Sequence, residues 1–143
     1  MTKIVLGCGH KRKEGWVNID KDAQWRPDIL RDVTRGLPFN NSCIEEVHSE
    51  NMLEHLDPTD FVFVMQEIHR VLTIGGMAEL IVPLGVVPDA THRTYFHTHT
   101  FNNLFQQKET YNLDGMNILF SELKKHDSPH DYTEMRITIQ KTY

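Results

Sequence analysis

The sequence predicts an α/β protein built on a mostly parallel sheet with an antiparallel edge. Three observations carry this expectation. Short apolar, β-branched runs alternate with polar turns through the first half, the pattern of strands feeding a parallel sheet. Residues 57–72 instead place their apolar side chains at helical spacing. Near the end, Met135, Ile137 and Ile139 alternate with Arg136, Thr138 and Gln140, the period of a strand with one wet face and hence an antiparallel habit.

The elements follow in order. Residues 3–6 are apolar and β-branched and break at Gly7-Cys8-Gly9, a strand running into a glycine turn. Residues 16–20 form a second strand ending on the carboxylate of Asp20, and residues 27–32 a weaker third one ending on Asp32. Residues 44–49 form a fourth, after the turn-rich stretch 38–42. Asp57-Pro58-Thr59-Asp60 starts a helix, with proline in its first turn and acids at the positive end of the dipole. Phe61, Val64, Met65, Ile68, Val71 and Leu72 form its core stripe, and Gly75-Gly76 is expected to stop it before an apolar strand over 77–82 closed by Pro83. A histidine-rich segment (92–99), a helix near 100–106 and two strands near 116–123 and 134–140 complete the chain. Only six residues, His10 to Gly15, separate Gly9 from Trp16, and Asp20 to Asp28 is nearly as short. A parallel crossover ordinarily takes a dozen or more, so the helices after strands 1 and 2 must be shortened.

Length and composition bound the function. A chain of 143 residues is one domain, taken here as 1–143. With 15 basic and 20 acidic residues its net charge is −5, which disfavours a nucleic-acid binder working by broad electrostatics. Lys11-Arg12-Lys13 reads as a solvated loop. No apolar window is long enough for a membrane span, and the run at 4–6 is too short for a secretory leader. Cys8 and Cys43 form no disulfide framework, so reduced thiols and a cytoplasmic location are expected.

The glycine turn and the two strand-ending acids point to a nucleoside. A glycine turn after the first strand lets backbone N–H groups approach a ligand closely. A carboxylate ending the next strand can accept both hydroxyls of a ribose, the part Asp20 would play, while Asp32 is placed to meet an adenine edge. The dinucleotide pattern GxGxxG fails, because Arg12 holds its last glycine position.

At this point a resemblance becomes specific. Leu6-Gly7-Cys8-Gly9, Gly15-Trp16-Val17-Asn18-Ile19-Asp20, Leu37-Pro38-Phe39, Leu53-Glu54-His55-Leu56, Glu67-Ile68-His69-Arg70-Val71-Leu72 and Gly75-Gly76 occur in the order seen in class I S-adenosylmethionine-dependent methyltransferases. The chain resembles the small type 11 methyltransferase-domain branch over roughly residues 3–100. The resemblance implies a Rossmann-like seven-stranded sheet, parallel except for an antiparallel edge strand, and S-adenosylmethionine as cofactor. It implies that Gly7, Cys8 and Gly9 line the methionine part, that Asp20 holds the ribose, and that Asp32 and Val33 flank the adenine. Ser49, Glu50 and Asn51 would border the pocket where the fourth strand ends. Two positions depart from the pattern: Val5 stands where many relatives carry an acid or amide, and Lys11 where a third glycine is common.

The remaining chemistry lies in the histidines. Glu54-His55, with Glu50 four residues before, is similar to a metal-binding Glu-x-x-Glu-His arrangement in some methyltransferases of this fold. Asn51 holds the place of that pattern's first carboxylate, so the pair is read as a helical cap, with Glu54 toward solvent, His55 packed locally and no metal. His97 and His99 could share a metal only with further ligands, and no cysteine is near. His92 is the candidate general base, since an imidazole titrates near neutrality. The expected function is methyl transfer from S-adenosylmethionine to an unidentified small-molecule acceptor. The alternative is a non-catalytic S-adenosylmethionine-binding or assembly module of the same fold, which Val5 and Lys11 favour. The short links leave one sheet face bare near the first strands, and a bare apolar face would make a homodimer.

Overall fold

The apolar runs become the strands of one sheet and the periodic stretch becomes its main helix. The computed structural model describes residues 2–127 and 131–143. Its elements are β1 (Thr2–Leu6), β2 (Val17–Asp20), β3 (Ile29–Leu30), β4 (Ile44–Glu50), α1 (Pro58–Val71), β5 (Leu72–Pro83), α2 (Thr100–Gln106), β6 (Met116–Lys125) and β7 (Thr133–Lys141). Short 3-10 turns cover Ala23–Trp25, Val33–Arg35 and Leu53–His55. The strand order is β3-β2-β1-β4-β5-β7-β6. β1 to β5 pair in parallel, and β7 runs antiparallel to both β5 and β6. The antiparallel strand is therefore one in from the edge, which β6 forms. This is a seven-stranded Rossmann-like sheet.

α1 begins as its residues dictate, with Asp57 extended at the N-cap and Pro58 first in the helix. Phe61, Val64, Met65, Ile68 and Val71 are buried on its inner face, against Ile4, Leu6, Ile19, Val47, Ala78 and Leu80 of the sheet. The helix stops earlier than Gly75-Gly76. Leu72 already has extended backbone and opens β5, so the glycine pair lies inside the strand. Pairing with β4 slips there: Ile44 faces Leu72 while Glu46 faces Met77. Gly75, at φ 84°, takes up the extra length. The third strand is also shorter than its sequence run, with only Ile29 and Leu30 pairing.

The links after β1 and β2 contain no α-helix. Their backbone is held instead by the buried side chain of Asn18, whose amide accepts from the Lys13 N–H at 2.8 Å and donates to the Lys13 and Trp16 carbonyls. The Asp28 carboxylate in turn accepts from the Asn18 N–H at 2.7 Å. The basic run is fastened too: Lys11 pairs with Glu50 at 2.6 Å, Arg12 with Asp28 at 3.0 Å, and Lys13 lies 4.5 Å over the Trp16 ring.

With those helices gone, the sheet face opposite α1 carries mostly polar side chains over β4, β5 and β7, with Ile81 and His48 buried among them. Strand alternation and register put Lys3, Glu46, His48, Glu50, Glu79 and Arg136 on that face. Lys3 pairs with Glu46 at 2.5 Å, His48 with Glu79 at 2.9 Å, and Arg136 lies 3.7 Å from both Glu79 and Glu122. The premise of a bare apolar face near the first strands thus fails: Val5 and Asn18, which share that face of β1 and β2, are buried under the loop that Asn18 fastens, and on β4, β5 and β7 mostly polar and charged side chains stand where covering helices would pack. Each such pair contributes little to stability, but together they keep the face wet. Among the described residues no helix is long and apolar enough to cross a membrane.

Candidate functional site

The strand order reverses between β1 and β4, the switch point where open α/β sheets bind ligands beyond the carboxyl ends of their strands. Gly7 leaves β1 at φ 63°, and Gly9 follows at φ 48°. The Cys8 N–H donates to the Ile19 carbonyl at 3.0 Å, and the Gly9 N–H to Asp20 Oδ2 at 2.9 Å. Asp20 Oδ1 accepts from the Asp22 N–H at 2.9 Å. The turn and the strand-ending acid are therefore tied together by hydrogen bonds. Each oxygen of Asp20 accepts one backbone N–H and keeps a further lone pair for a hydroxyl donor. A Cβ at Gly9 would meet nothing within 4 Å, so the turn is open there to a ligand. Beside it, the rings of His10 and Trp25 lie 6.0 Å apart, an aromatic pair that the sequence pattern did not single out.

Gly7 is needed for a different reason. A Cβ there would lie 2.3 Å from Met52 Cγ and 2.8 Å from Met52 Cβ, so the glycine lets the chain after β4 close onto the turn. Gly7→Ala is expected to cost about 2–4 kcal/mol, from left-handed backbone strain plus overpacking that Met52 cannot swing away from. Urea unfolding measures it; an unchanged midpoint would contradict this packing.

The other candidate cofactor residues divide. Asp32 caps the turn after β3, its Oδ1 accepting from the Thr34 N–H at 3.0 Å and the Thr34 hydroxyl at 2.7 Å. Those bonds hold its carboxyl below the ordinary value. Val33 is buried in the core beneath that turn. Cys8 is buried, and its thiol is pushed up chiefly by that burial, which suits packing rather than nucleophilic attack. Ser49 is buried on the α1 side of β4, and Asn51 has left-handed backbone at φ 52° as the strand ends. Glu50 sits on the wet face with Lys11 and 3.7 Å from His48. It is turned toward that pair rather than toward α1.

A second cluster stands where β4 and β5 end. Glu54 does not face solvent: the residue is 1% exposed, and its Oε2 has no hydrogen-bond partner among the described residues. Burial drives its carboxyl up to about 7, with the charge of Asp89 adding to the rise. His55 Nε2 is 3.7 Å from Glu54 Oε1, and the His55 and His92 rings meet edge to face at 4.9 Å. His92 Nε2 lies 3.5 Å from Asp89 Oδ2. Thr91 links the two sides, its N–H and hydroxyl bonding Asp89 Oδ1 while its hydroxyl oxygen lies 3.1 Å from His55 Nδ1. The Arg93 and Thr94 N–H groups donate to the Glu54 carbonyl at 2.7 and 3.0 Å, which staples the loop after β5 to the turn after β4. His97 lies apart from this cluster. It lines a cavity of about 520 Å³ with Leu84, Val86, Phe96 and Tyr132.

No protein-family model and no curated protein matches this sequence. Solved structures do. An S-adenosylmethionine-dependent methyltransferase from Methanosarcina mazei matches with a TM-score of 0.71 at 15% identity, covering 98% of this chain and 92% of that one. The Burkholderia thailandensis 1,6-didemethyltoxoflavin-N1-methyltransferase, solved with 1,6-didemethyltoxoflavin and S-adenosylhomocysteine bound, matches at 0.72 and 15% identity over 99% and 71% of the chains. The cyclase SpnF matches at 0.67 and 14% identity over 98% and 75%. The chain has the class I methyltransferase fold. At these identities the likeness is one of fold, and the cyclase shows that the fold alone does not set the reaction.

Proposed function

We propose that this chain binds S-adenosylmethionine at the switch point and transfers its methyl group to a small-molecule acceptor. The observation that carries the reading is the Asp20 carboxylate, bonded to the Gly9 N–H across the ends of β1 and β2 and still holding lone pairs for a ribose. Bound there, the cofactor supplies a sulfonium methyl for in-line displacement. The chain's own share of such a reaction is positioning and the removal of one proton. Asp20 orients the nucleoside, and Asp32 keeps a second oxygen for the adenine edge. Burial holds His92 below its ordinary value, so its ring is neutral near pH 7 and ready to accept a proton.

The second reading, a cofactor-binding or assembly module without turnover, is supported by Lys11 and Glu50. They pair with each other at 2.6 Å. Formation of S-adenosylhomocysteine across a panel of hydroxyl and amine acceptors separates the two. Turnover that falls on His92→Ala supports the enzyme; binding with no turnover on any acceptor supports the module. Two free thiols, one buried and one half-buried, fit a reducing, cytoplasmic setting.

The dimer is proposed on another surface than the wet face. β6 is an edge strand with Leu119, Phe120 and Leu123 more than half exposed, and such an edge invites a second copy. Light scattering is expected to give twice the 16.7 kDa chain mass. A monomer at every concentration would contradict it.

A further inference from the structure

We propose that Glu54, His55 and His92 form a binding site for a divalent metal ion of the zinc type. Each presents one ligand atom, and these atoms lie within 4.8 Å of one another. One carboxylate and two imidazoles are a donor set that such ions favour, with the remaining position open to water or to an acceptor atom. Zinc bonds of about 2.0–2.2 Å put tetrahedral ligand atoms a little over 3 Å apart, so no gap needs to close by more than roughly 1.5 Å. The His55 side chain, 41% exposed, has room to make that turn.

The independent sign of a ligand is Glu54 itself. Its side chain is 2% exposed, it pairs with no lysine or arginine among the described residues, and Oε2 has no partner. A buried carboxylate left without a counter-charge is costly, and a cation between it and the two rings removes that cost. The surroundings are those of a metal site: Thr91 touches Nδ1 of His55, which leaves Nε2 toward Glu54, and Asp89 lies against His92. The backbone bonds from Arg93 and Thr94 to Glu54 hold the two ligand-bearing segments together whether or not an ion is present.

The site rests on this cluster and not on methyl transfer. Within the methyl-transfer reading it changes the part His92 plays, which becomes that of a ligand to an ion that polarises the acceptor rather than of a free base.

The test is calorimetric titration of the chelator-treated 143-residue chain with Zn²⁺ alone, and with Co²⁺ to record its visible spectrum. One ion per chain and the visible bands of four-coordinate cobalt are expected. His55→Ala and His92→Ala should each weaken Zn²⁺ at least tenfold, while His99→Ala leaves it unchanged. The ring of His55 is part-exposed, so its variant should keep the fold, which circular dichroism verifies. No binding, binding that survives both variants, or binding lost on His99→Ala would overturn the site. A parallel titration with S-adenosylhomocysteine is read without metal, so failure of either reading is seen separately.

Discussion

Asp20→Ala is expected to weaken S-adenosylmethionine at least tenfold. A carboxylate accepting two ribose hydroxyls contributes about 1.5–3 kcal/mol for each charge-assisted contact, and alanine removes both. The same substitution frees the Gly9 and Asp22 N–H groups, which Asp20 accepts at 2.9 Å in each case. These lie near the surface and find water, so the stability loss should be only about 1–2 kcal/mol. Asp20→Asn separates the two effects. It keeps one acceptor for the Gly9 N–H but offers one fewer to the ribose, and an intermediate loss of affinity is expected. Calorimetry on the three proteins measures this; equal affinities would remove Asp20 from the site.

A larger effect on stability is expected at Glu54. Its carboxyl is raised from 4.5 to about 7, chiefly by burial. The folded state therefore holds this proton more tightly than the unfolded state does. The resulting stability is fully present below about pH 4.5 and is lost as pH rises to about 7, with a total change of about 3 kcal/mol. Glu54→Gln stays neutral and removes that loss. In chelator-treated protein, the variant should gain about 3 kcal/mol on wild type between pH 4.5 and 8, or roughly 6–12 °C in melting temperature. His92 has a depressed value and contributes the opposite slope, but it is present in both proteins and drops out of the comparison. Stability curves that run parallel with pH would mean that Glu54 is ionised throughout.

The parts of this molecule that were readable from its residues are those governed by local periodicity. The stripe from Phe61 to Val71 is buried as its spacing requires, and Met135, Ile137 and Ile139 face the core as their alternation requires. The Gly7-Cys8-Gly9 turn meets Asp20 because strand, turn and strand-ending acid are all short-range signals. What could not be read depends on contacts distant in sequence or on elements too short to have a period. Nothing local to Asn18 announces that its side chain replaces a crossover helix by holding Lys13 and Trp16. The wet face escaped for a related reason: the shortage of helices was visible, but which side chains alternate onto that face depends on register. Glu54 sits in a three-residue 3-10 turn that shows no apolar face, so its burial beneath the loop after β5 had no signature. His92 stands out in the sequence only as an imidazole that titrates near neutrality, and its partners Asp89 and His55 are visible only in three dimensions.

The central claim is that Gly9 and Asp20 hold the nucleoside of S-adenosylmethionine, and ligand-induced thermal stabilisation tests it most directly. A ligand that binds only the folded state adds about 2.7 kcal/mol at a hundredfold excess over Kd. For a domain of this size that is a shift of about 5–10 °C. S-adenosylmethionine and S-adenosylhomocysteine should both produce it, since they share the adenosine and amino-acid parts. NAD should not, because Arg12, paired with Asp28 at 3.0 Å, stands where a dinucleotide turn needs its third glycine. A shift with both sulfur nucleosides and none with NAD is the predicted result. A shift with NAD alone, or with none of the three, would contradict the account.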